Sequence, residues 1–310
     1  MTQFGRRERL LGALATIYIL WGSTYLAVAL GLRSMPPFLL MGTRSVVGGV
    51  ILLALSGFLR TRPPPVGDWL RASLAGLLLF VGCHGTLAYA QQRVPSGVAA
   101  VVLATIPFWI MLIEALAPRG RRPSAISLAG LLPGFAGVAL IAWREASRAD
   151  HPVNPLMILL LLGAALSWAA GSLVSPRHTP STPSTTVAGM QLVCGGAVLL
   201  ASSVFAGEFR GFSPAGISAV SLAGLAYLTL AGTVVAFAAY VWLLDHVAGS
   251  LVATYTFVNP VIAVLLGWAL LGEHLDIGMI AGTVLVIGSV VTVWRVDTPA
   301  SAKAAGQMEG

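Results

Sequence analysis

The stretch "GVAAVVLATIPFWIMLIEAL", residues 97–116, runs for twenty residues with a single charge near its end. A hydrocarbon core of about 30 Å is crossed by roughly 20 helical residues. Runs of that length recur along the whole of the 310-residue chain, separated by short polar loops. Only helices and closed barrels satisfy every backbone polar group inside a bilayer. A barrel needs strands of about 10 residues that alternate apolar and polar, and no segment here reads that way. The expected fold class is therefore an all-α polytopic membrane protein. Ten spans are predicted, over 10–30, 37–59, 69–91, 96–117, 125–143, 155–174, 184–206, 217–244, 249–270 and 277–295.

Charge supplies the orientation. Charged residues are only 9% of the chain, against roughly 25% in soluble domains. Of the 18 lysines and arginines, Arg44 alone falls deep within a predicted span, Arg71 and Arg295 standing at span ends. With a cytoplasmic N-terminus, 12 of the others gather on the cytoplasmic side and 5 on the outer side. That division follows the positive-inside rule and puts both termini in the cytoplasm. The net charge of +7 is thus an insertion signal, and no nucleic-acid partner is expected. The basic start followed by a long apolar run reads as a retained first helix, because signal-peptide cores are shorter, about 7–15 residues. Cys83 and Cys194 fall inside different spans and read as packing thiols. The loops are too short to hold a soluble domain, and residues 298–310 are expected to be a disordered cytoplasmic tail.

The chain repeats itself. "PPFLLMGTRSVVGGVILLAL" (36–55) matches "PSTTVAGMQLVCGGAVLLAS" (183–202) at an offset of 147, which also pairs Trp21 with Trp168. Further on, an offset of 153 pairs Val94 with Val247, Ala100 with Ala253, and Pro107 with Pro260. Gly130 pairs with Gly282 at an offset of 152. Two five-span units are expected, 1–145 and 153–297. An odd number of spans makes the second unit enter the membrane in the opposite direction, a plan common in secondary transporters with a midplane site between the repeats. Proline inside a helix costs about 3 kcal/mol, so its placement at matching points of the fourth and ninth spans reads as a pair of hinges, Pro107 and Pro260. The plainer account is that proline is frequent in transmembrane helices generally.

The sequence resembles the ten-helix, EamA-type transporters of the drug/metabolite transporter superfamily. The resemblance is carried by "LWGSTYLAV", "PPFLLMGTRSVVGGV" and "TFVNPVIAVLLGWALLGEHL", and covers about 290 residues. The last motif joins Asn259-Pro260 to Gly272-Glu273; the first half has Ile106-Pro107 and Arg119-Gly120 at the corresponding places. The resemblance implies a 5+5 inverted repeat around a central cavity, exporting small metabolites across the bacterial inner membrane. Within the family the chain is most similar to the bacterial aromatic amino-acid exporters of the YddG kind.

Candidate site residues are the polar and aromatic groups deep in the spans, because ionisable side chains there are costly and tend to face a cavity. None of the 11 acidic residues is near the centre of a span, which favours gradient-driven export over tight ion coupling. Arg44 can receive a substrate carboxylate, or snorkel to the interface. His84 can line the cavity, take a proton, or pack. Trp21, Trp109 and Trp168 are deep enough to enclose a ligand side chain, whereas Trp69, Trp143, Trp242, Trp268 and Trp294 fit an interfacial belt. Tyr255 and Asn259 share a helix face just before Pro260. Tyr89, Tyr240, Gln91 and Thr105 are further candidates of the same kind.

The leading expectation is an exporter of aromatic and other neutral amino acids working by alternating access. A proton-coupled exporter of other small amphipathic metabolites or drugs would look much the same. An enzyme would need clustered catalytic groups; His84, His151, His178, His246 and His274 are scattered, with no metal spacing and no nucleophile motif. No cofactor or metal is expected, and the oligomeric state is open, a monomer included. A structural subunit without transport is the remaining alternative.

Overall fold

The computed structural model describes residues 3–58, 64–94, 96–117, 125–146, 154–175, 182–271, 277–278, 280–289 and 291–292. Among these the secondary structure is helical, with no strand. The helices are α1 (Gln3–Gly31), α2 (Pro37–Phe58), α3 (Val66–Gln91), α4 (Ser96–Leu103), α5 (Ile106–Leu116), α6 (Ala125–Ala146), α7 (Pro155–Val174), α8 (Ser184–Phe205), α9 (Ala219–His246), α10 (Gly249–Val252), α11 (Tyr255–Leu271) and α12 (Ile280–Ser289). Six of them, α1, α2, α3, α7, α8 and α9, are long and apolar enough to cross a bilayer, while α5, α12 and part of α6 are shorter apolar pieces. The Gly272-Glu273 and Arg119-Gly120 motifs, Trp294 and the 298–310 tail lie outside the described residues, as does the side chain of Trp268.

Without a hydrophobic difference between lipid and protein, helices in a bilayer associate by close packing and hydrogen bonding, which favours small residues at the contacts. α2 and α8 cross with their backbones nearly touching. A Cβ on Gly49 would lie 2.8 Å from the Val193 nitrogen, and one on Gly196 would lie 2.8 Å from the Val46 nitrogen. Gly42 meets Leu200 and Gly189 meets Leu53, each at 2.8 Å. Every one of these contacts maps onto its partner when 147 is added to one residue and subtracted from the other. The same reciprocity joins α6 and α12. Gly137 faces the carbonyl of Gly282, and Ser289 Oγ donates to the carbonyl of Gly130 at 2.6 Å, with 152 relating the two contacts. Numbers rise along one helix as they fall along the other, so both crossings are antiparallel.

α3 and α9 share a further peculiarity. Each carries a π-helical stretch, Leu77–Gly85 in α3 and Leu228–Val235 in α9. Widened turns are a known adaptation at functional positions. Side chains bond to carbonyls within them: Ser167 Oγ donates to Leu78 at 2.8 Å, and Trp21 Nε1 donates to Gly232 at 2.9 Å. Small residues permit the approach, since a Cβ on Gly82 would fall 2.1 Å from Ser167 Oγ.

The fourth and ninth predicted spans are each broken in two, and not at their prolines. The breaks fall at Ala104–Thr105 and Ala253–Thr254. Threonine hydroxyls compete for the helix's own carbonyls there: Thr105 Oγ1 donates to Val102 at 2.7 Å, and Thr254 Oγ1 donates to Leu251 at 2.6 Å. Thr256 Oγ1 adds a third such bond, to Ala253 at 2.8 Å. Such local bonding is how threonine disfavours a helix interior. Pro107 is the second residue of α5, where a missing N–H costs nothing. Pro260 stands inside α11 and leaves the carbonyl of Thr256 without its usual donor.

Candidate transport cavity

We call the end of the bundle where α1 begins the near end, and that of the α1–α2 turn the far end. A hollow sits between α1, α2, α3, α4, α5, α7 and α11, toward the far end. Helical spacing delivers its walls. Trp21, Thr24, Tyr25 and Val28 form one face of α1, Cys83, His84, Leu87 and Gln91 one face of α3, and Tyr255, Thr256 and Asn259 one face of α11. Met41 and Arg44 come from α2, Leu103 and Ile106 from either side of the fourth-span break, and Trp168 from α7. No carboxylate is among these lining residues.

The floor of the hollow is aromatic. Trp21 meets Trp168 edge-on with ring centroids 5.6 Å apart, Tyr255 at 4.5 Å and Tyr240 at 5.0 Å. Trp21 and Trp168, equivalent in the repeat, therefore meet each other at the centre. His84 lies over Trp168 at 4.9 Å, and Arg44 Nη2 reaches His84 Nδ1 at 3.4 Å. Arginine has only donors, so the imidazole nitrogen is the acceptor in that long contact.

Several polar atoms here are buried without a protein partner: Nε of Arg44, Nε1 of Trp168, Oδ1 of Asn259 and both amide atoms of Gln91. Arg44 is 4% exposed, and Trp168 and Asn259 are 2% exposed. Buried polar groups in native proteins are nearly always bonded to something, water included. Counting only space open to the centres of water molecules, the hollow measures about 40 Å³. At roughly 10–15 Å³ for each water, it accommodates a few waters and is too tight for an aromatic side chain as it stands.

Toward the near end the packing closes. Tyr240 O–H donates to Ser172 Oγ at 2.5 Å, since that hydroxyl already donates to the Trp168 carbonyl. Tyr18 O–H likewise donates to Thr254 Oγ1 at 2.6 Å, and Gln191 Nε2 donates to Ser175 Oγ at 2.6 Å. Thr182 bonds Asp68 at 2.7 Å and Ser184 bonds Asp245, tying the start of α8 to α3 and α9. At the far end, the Glu208 carboxylate accepts from the Phe38 and Leu39 amides at 3.0 and 2.9 Å, satisfying the exposed N–H groups of α2. A second, wider hollow of about 550 Å³ opens there, with Arg33, Phe38, Tyr89 and Arg210 on its walls.

Of the residues singled out from the sequence, Trp21, Arg44, His84, Trp168, Tyr255 and Asn259 line the central hollow together, with Gln91. Three do not. Tyr89 faces the far-end hollow, stacked on Phe38 with Arg93 4.8 Å above its ring. Trp109 turns back to Thr105, donating Nε1 to its hydroxyl at 3.2 Å. Tyr240 is spent on Ser172 beneath the floor. The sequence reading missed Thr24, Tyr25, Cys83, Leu87 and Thr256. Spacing of three, four and seven residues from Trp21 and His84 would have found most of them.

Long apolar helices around a small hollow of mixed polar and apolar lining fit a membrane transporter. The chain belongs to the EamA-like transporter family, whose sequence profile matches residues 10–143 and again 155–295. It is 36% identical over 269 residues to the Escherichia coli inner membrane transporter YedA, covering 86% of this chain and 84% of that one. A Salmonella typhimurium protein described as a probable amino-acid metabolite efflux pump is 26% identical, covering 94% and 96% of the two chains. A solved crystal structure, 20% identical, matches in fold over 95% of this chain and 99% of its own, with a TM-score of 0.75. The family and these named relatives are transporters and not enzymes.

Proposed function

We propose that the chain exports neutral amino acids, aromatic ones among them, from the cytoplasm by alternating access across the bacterial inner membrane. The observation that carries this reading is the buried guanidinium of Arg44, facing the central hollow with no carboxylate from the described residues beside it. A charge in that position calls for a carboxylate supplied by the cargo. Trp21, Trp168 and Tyr255 would enclose an apolar or aromatic side chain. The name of the Salmonella relative supports the amino-acid assignment.

In this reading the chain is a ten-helix, 5+5 inverted repeat, residues 1–145 and 153–297, with both termini cytoplasmic and the far end periplasmic. The reciprocal antiparallel crossings of α2 with α8 and of α6 with α12 support it, because a two-fold axis perpendicular to both helices lies in the membrane plane. Alternating access would then exchange the roles of the halves, bending at the threonine breaks beside Pro107 and Pro260. The absence of carboxylates from the cavity lining among the described residues favours gradient-driven flux over proton coupling.

The test is uptake of labelled tryptophan, phenylalanine, leucine and lysine into liposomes carrying the purified chain, with and without imposed pH and voltage gradients. Flux of the neutral amino acids without any gradient is expected. Its absence under every condition, from folded protein, would remove the amino-acid assignment.

A further inference from the structure

We propose that the central hollow grips its cargo by two poles: a carboxylate pole made by Arg44 and the indole N–H of Trp168, and an ammonium pole made by the side-chain oxygens of Asn259 and Gln91. The assignment rests on the amino-acid reading and says which end of the molecule each residue holds. It also defines the class accepted: molecules with one carboxylate, with or without an α-ammonium, and not amines that lack a carboxylate.

Four side chains with unpartnered buried atoms line this one hollow. Three offer donors without a well-formed hydrogen bond in the described protein, the Nε of Arg44, the Nε2 of Gln91 and the Nε1 of Trp168, the last beside the Tyr240 hydroxyl. Arg44 and Trp168 belong to one wall, linked through His84, which lies 4.9 Å from the Trp168 ring and 3.4 Å from Arg44 Nη2. An indole nitrogen has no acceptor capacity, so Trp168 can serve only an anion or another acceptor. Asn259 leaves an acceptor over on a different helix, α11, and Gln91 leaves both its amide atoms over at the end of α3. Amide oxygens bind an ammonium without repelling the neighbouring arginine or neutralising it, as a carboxylate would.

The lining's formal charge is the single positive charge of Arg44. An amine without a carboxylate would bring a second positive charge into a low-dielectric space, where like charges repel strongly. A carboxylate without an ammonium would still neutralise Arg44 and lose only the amide contacts. The repeat provides two substitutions the fold already tolerates at equivalent positions. Gln191 stands where Arg44 stands in the first half, and Ile106 stands where Asn259 stands in the second.

The experiment measures binding of phenylalanine, 3-phenylpropionate and phenethylamine, which share one ring, to the full chain purified in detergent. Tryptophan fluorescence and thermal unfolding are the readouts, for wild type, Arg44→Gln, Trp168→Phe and Asn259→Ile. Phenylalanine and phenylpropionate are expected to bind and phenethylamine not to. Arg44→Gln should weaken both carboxylates by at least about tenfold, as expected for hydrogen bonds to a charged group. Trp168→Phe should weaken the same two ligands by a smaller factor, and Asn259→Ile should weaken phenylalanine alone. Tight phenethylamine binding, or phenylalanine binding indifferent to Arg44→Gln and Asn259→Ile, overturns the two poles and leaves the amino-acid reading standing. Arg44-dependent binding of phenylpropionate without any of phenylalanine overturns the ammonium pole and the amino-acid reading together. No binding of any of the three overturns both.

Discussion

The far-end and near-end faces of the central aromatic floor are built from equivalent positions, yet they are filled differently. Toward the far end stand Arg44, His84, Leu87 and Trp168, with buried polar atoms that the protein leaves unpartnered. Their counterparts at offsets of 147 and 153 are Gln191, Phe237, Tyr240 and Trp21. There Gln191 is bonded to Ser175, Tyr240 to Ser172 and Trp21 to the Gly232 carbonyl, and Phe237 stacks on Tyr240 with centroids 5.9 Å apart. The two sets differ in side-chain chemistry: the near-side polar groups bond within the protein except for Oε1 of Gln191, which is unpartnered like the atoms around Arg44. In a carrier of the proposed alternating-access kind, such a difference would bias the resting state.

The comparison is broken most severely at the glycines of the central helices. Gly48 and Gly195 are equivalent, but a Cβ on Gly195 would lie 2.4 Å from the Gly76 carbonyl oxygen, whereas one on Gly48 would meet the Cγ2 of Thr233 at 2.6 Å. A methyl can turn away; a helix backbone cannot. Gly195→Ala is expected to cost about 3 kcal/mol or to prevent folding, and Gly48→Ala about 1 kcal/mol. Thermal unfolding in detergent reads both. Equal losses would mean that the two crossings are interchangeable after all.

The central tryptophans give the next largest contrast. Trp21→Phe removes a buried donor and strands the Gly232 carbonyl, for an expected loss of about 1–3 kcal/mol. Trp168→Phe removes the same ring volume from a similarly buried site but strands no backbone carbonyl. It should therefore cost about 1 kcal/mol less than Trp21→Phe, the two sharing the cavity term, while amino-acid flux in liposomes falls. Matching melting curves for the two variants would count against the asymmetry.

Much of this was legible from the chain itself, for definite reasons. Span length follows from bilayer thickness, so the predicted 155–174 segment coincides with α7 and 184–206 with α8 to within a residue. The glycines shared by the two repeated segments were visible in the sequence, and in the structure they let the α2 and α8 backbones meet, as Gly49 and Gly196 do. The helix breaks themselves were not legible, because proline is a visible signal and threonine is an ambiguous one. Only the folded chain shows Thr105 and Thr254 bonding their own helices. Tyr240 and Trp109 were indistinguishable in sequence from Tyr255 and Trp168. What separates them is a partner on another helix or at the break, Ser172 in one case and Thr105 in the other. The π stretches had no signal, because their side-chain contacts come from distant segments such as Ser167.

The smallest expected effect is also the most direct probe of the near-end closure. Tyr18 O–H donates to Thr254 Oγ1 at 2.6 Å, and Thr254 keeps its own bond to Leu251 whether or not the phenol is present. Tyr18→Phe therefore leaves no donor unsatisfied and removes one accepted bond, about 0.5–1.5 kcal/mol, which is at most roughly tenfold in the balance between two conformations. Two equivalent positions report that balance. Cys83 lines the central hollow and its counterpart Ala236 lies behind the floor; they are 1% and 0% exposed, so labelling of either site reports opening of its side of the bundle. In a Cys83→Ser, Cys194→Ser background, Ala236→Cys should label slowly with an impermeant maleimide applied from the near side. Adding Tyr18→Phe should speed that labelling severalfold, and in the native-cysteine protein it should slow labelling of Cys83 from the far side. Under the proposed alternating access the changes are opposite in sign, because opening one side would close the other. If both sites became more reactive together, Tyr18 would be holding the bundle's general packing, and the near end would not be a gate.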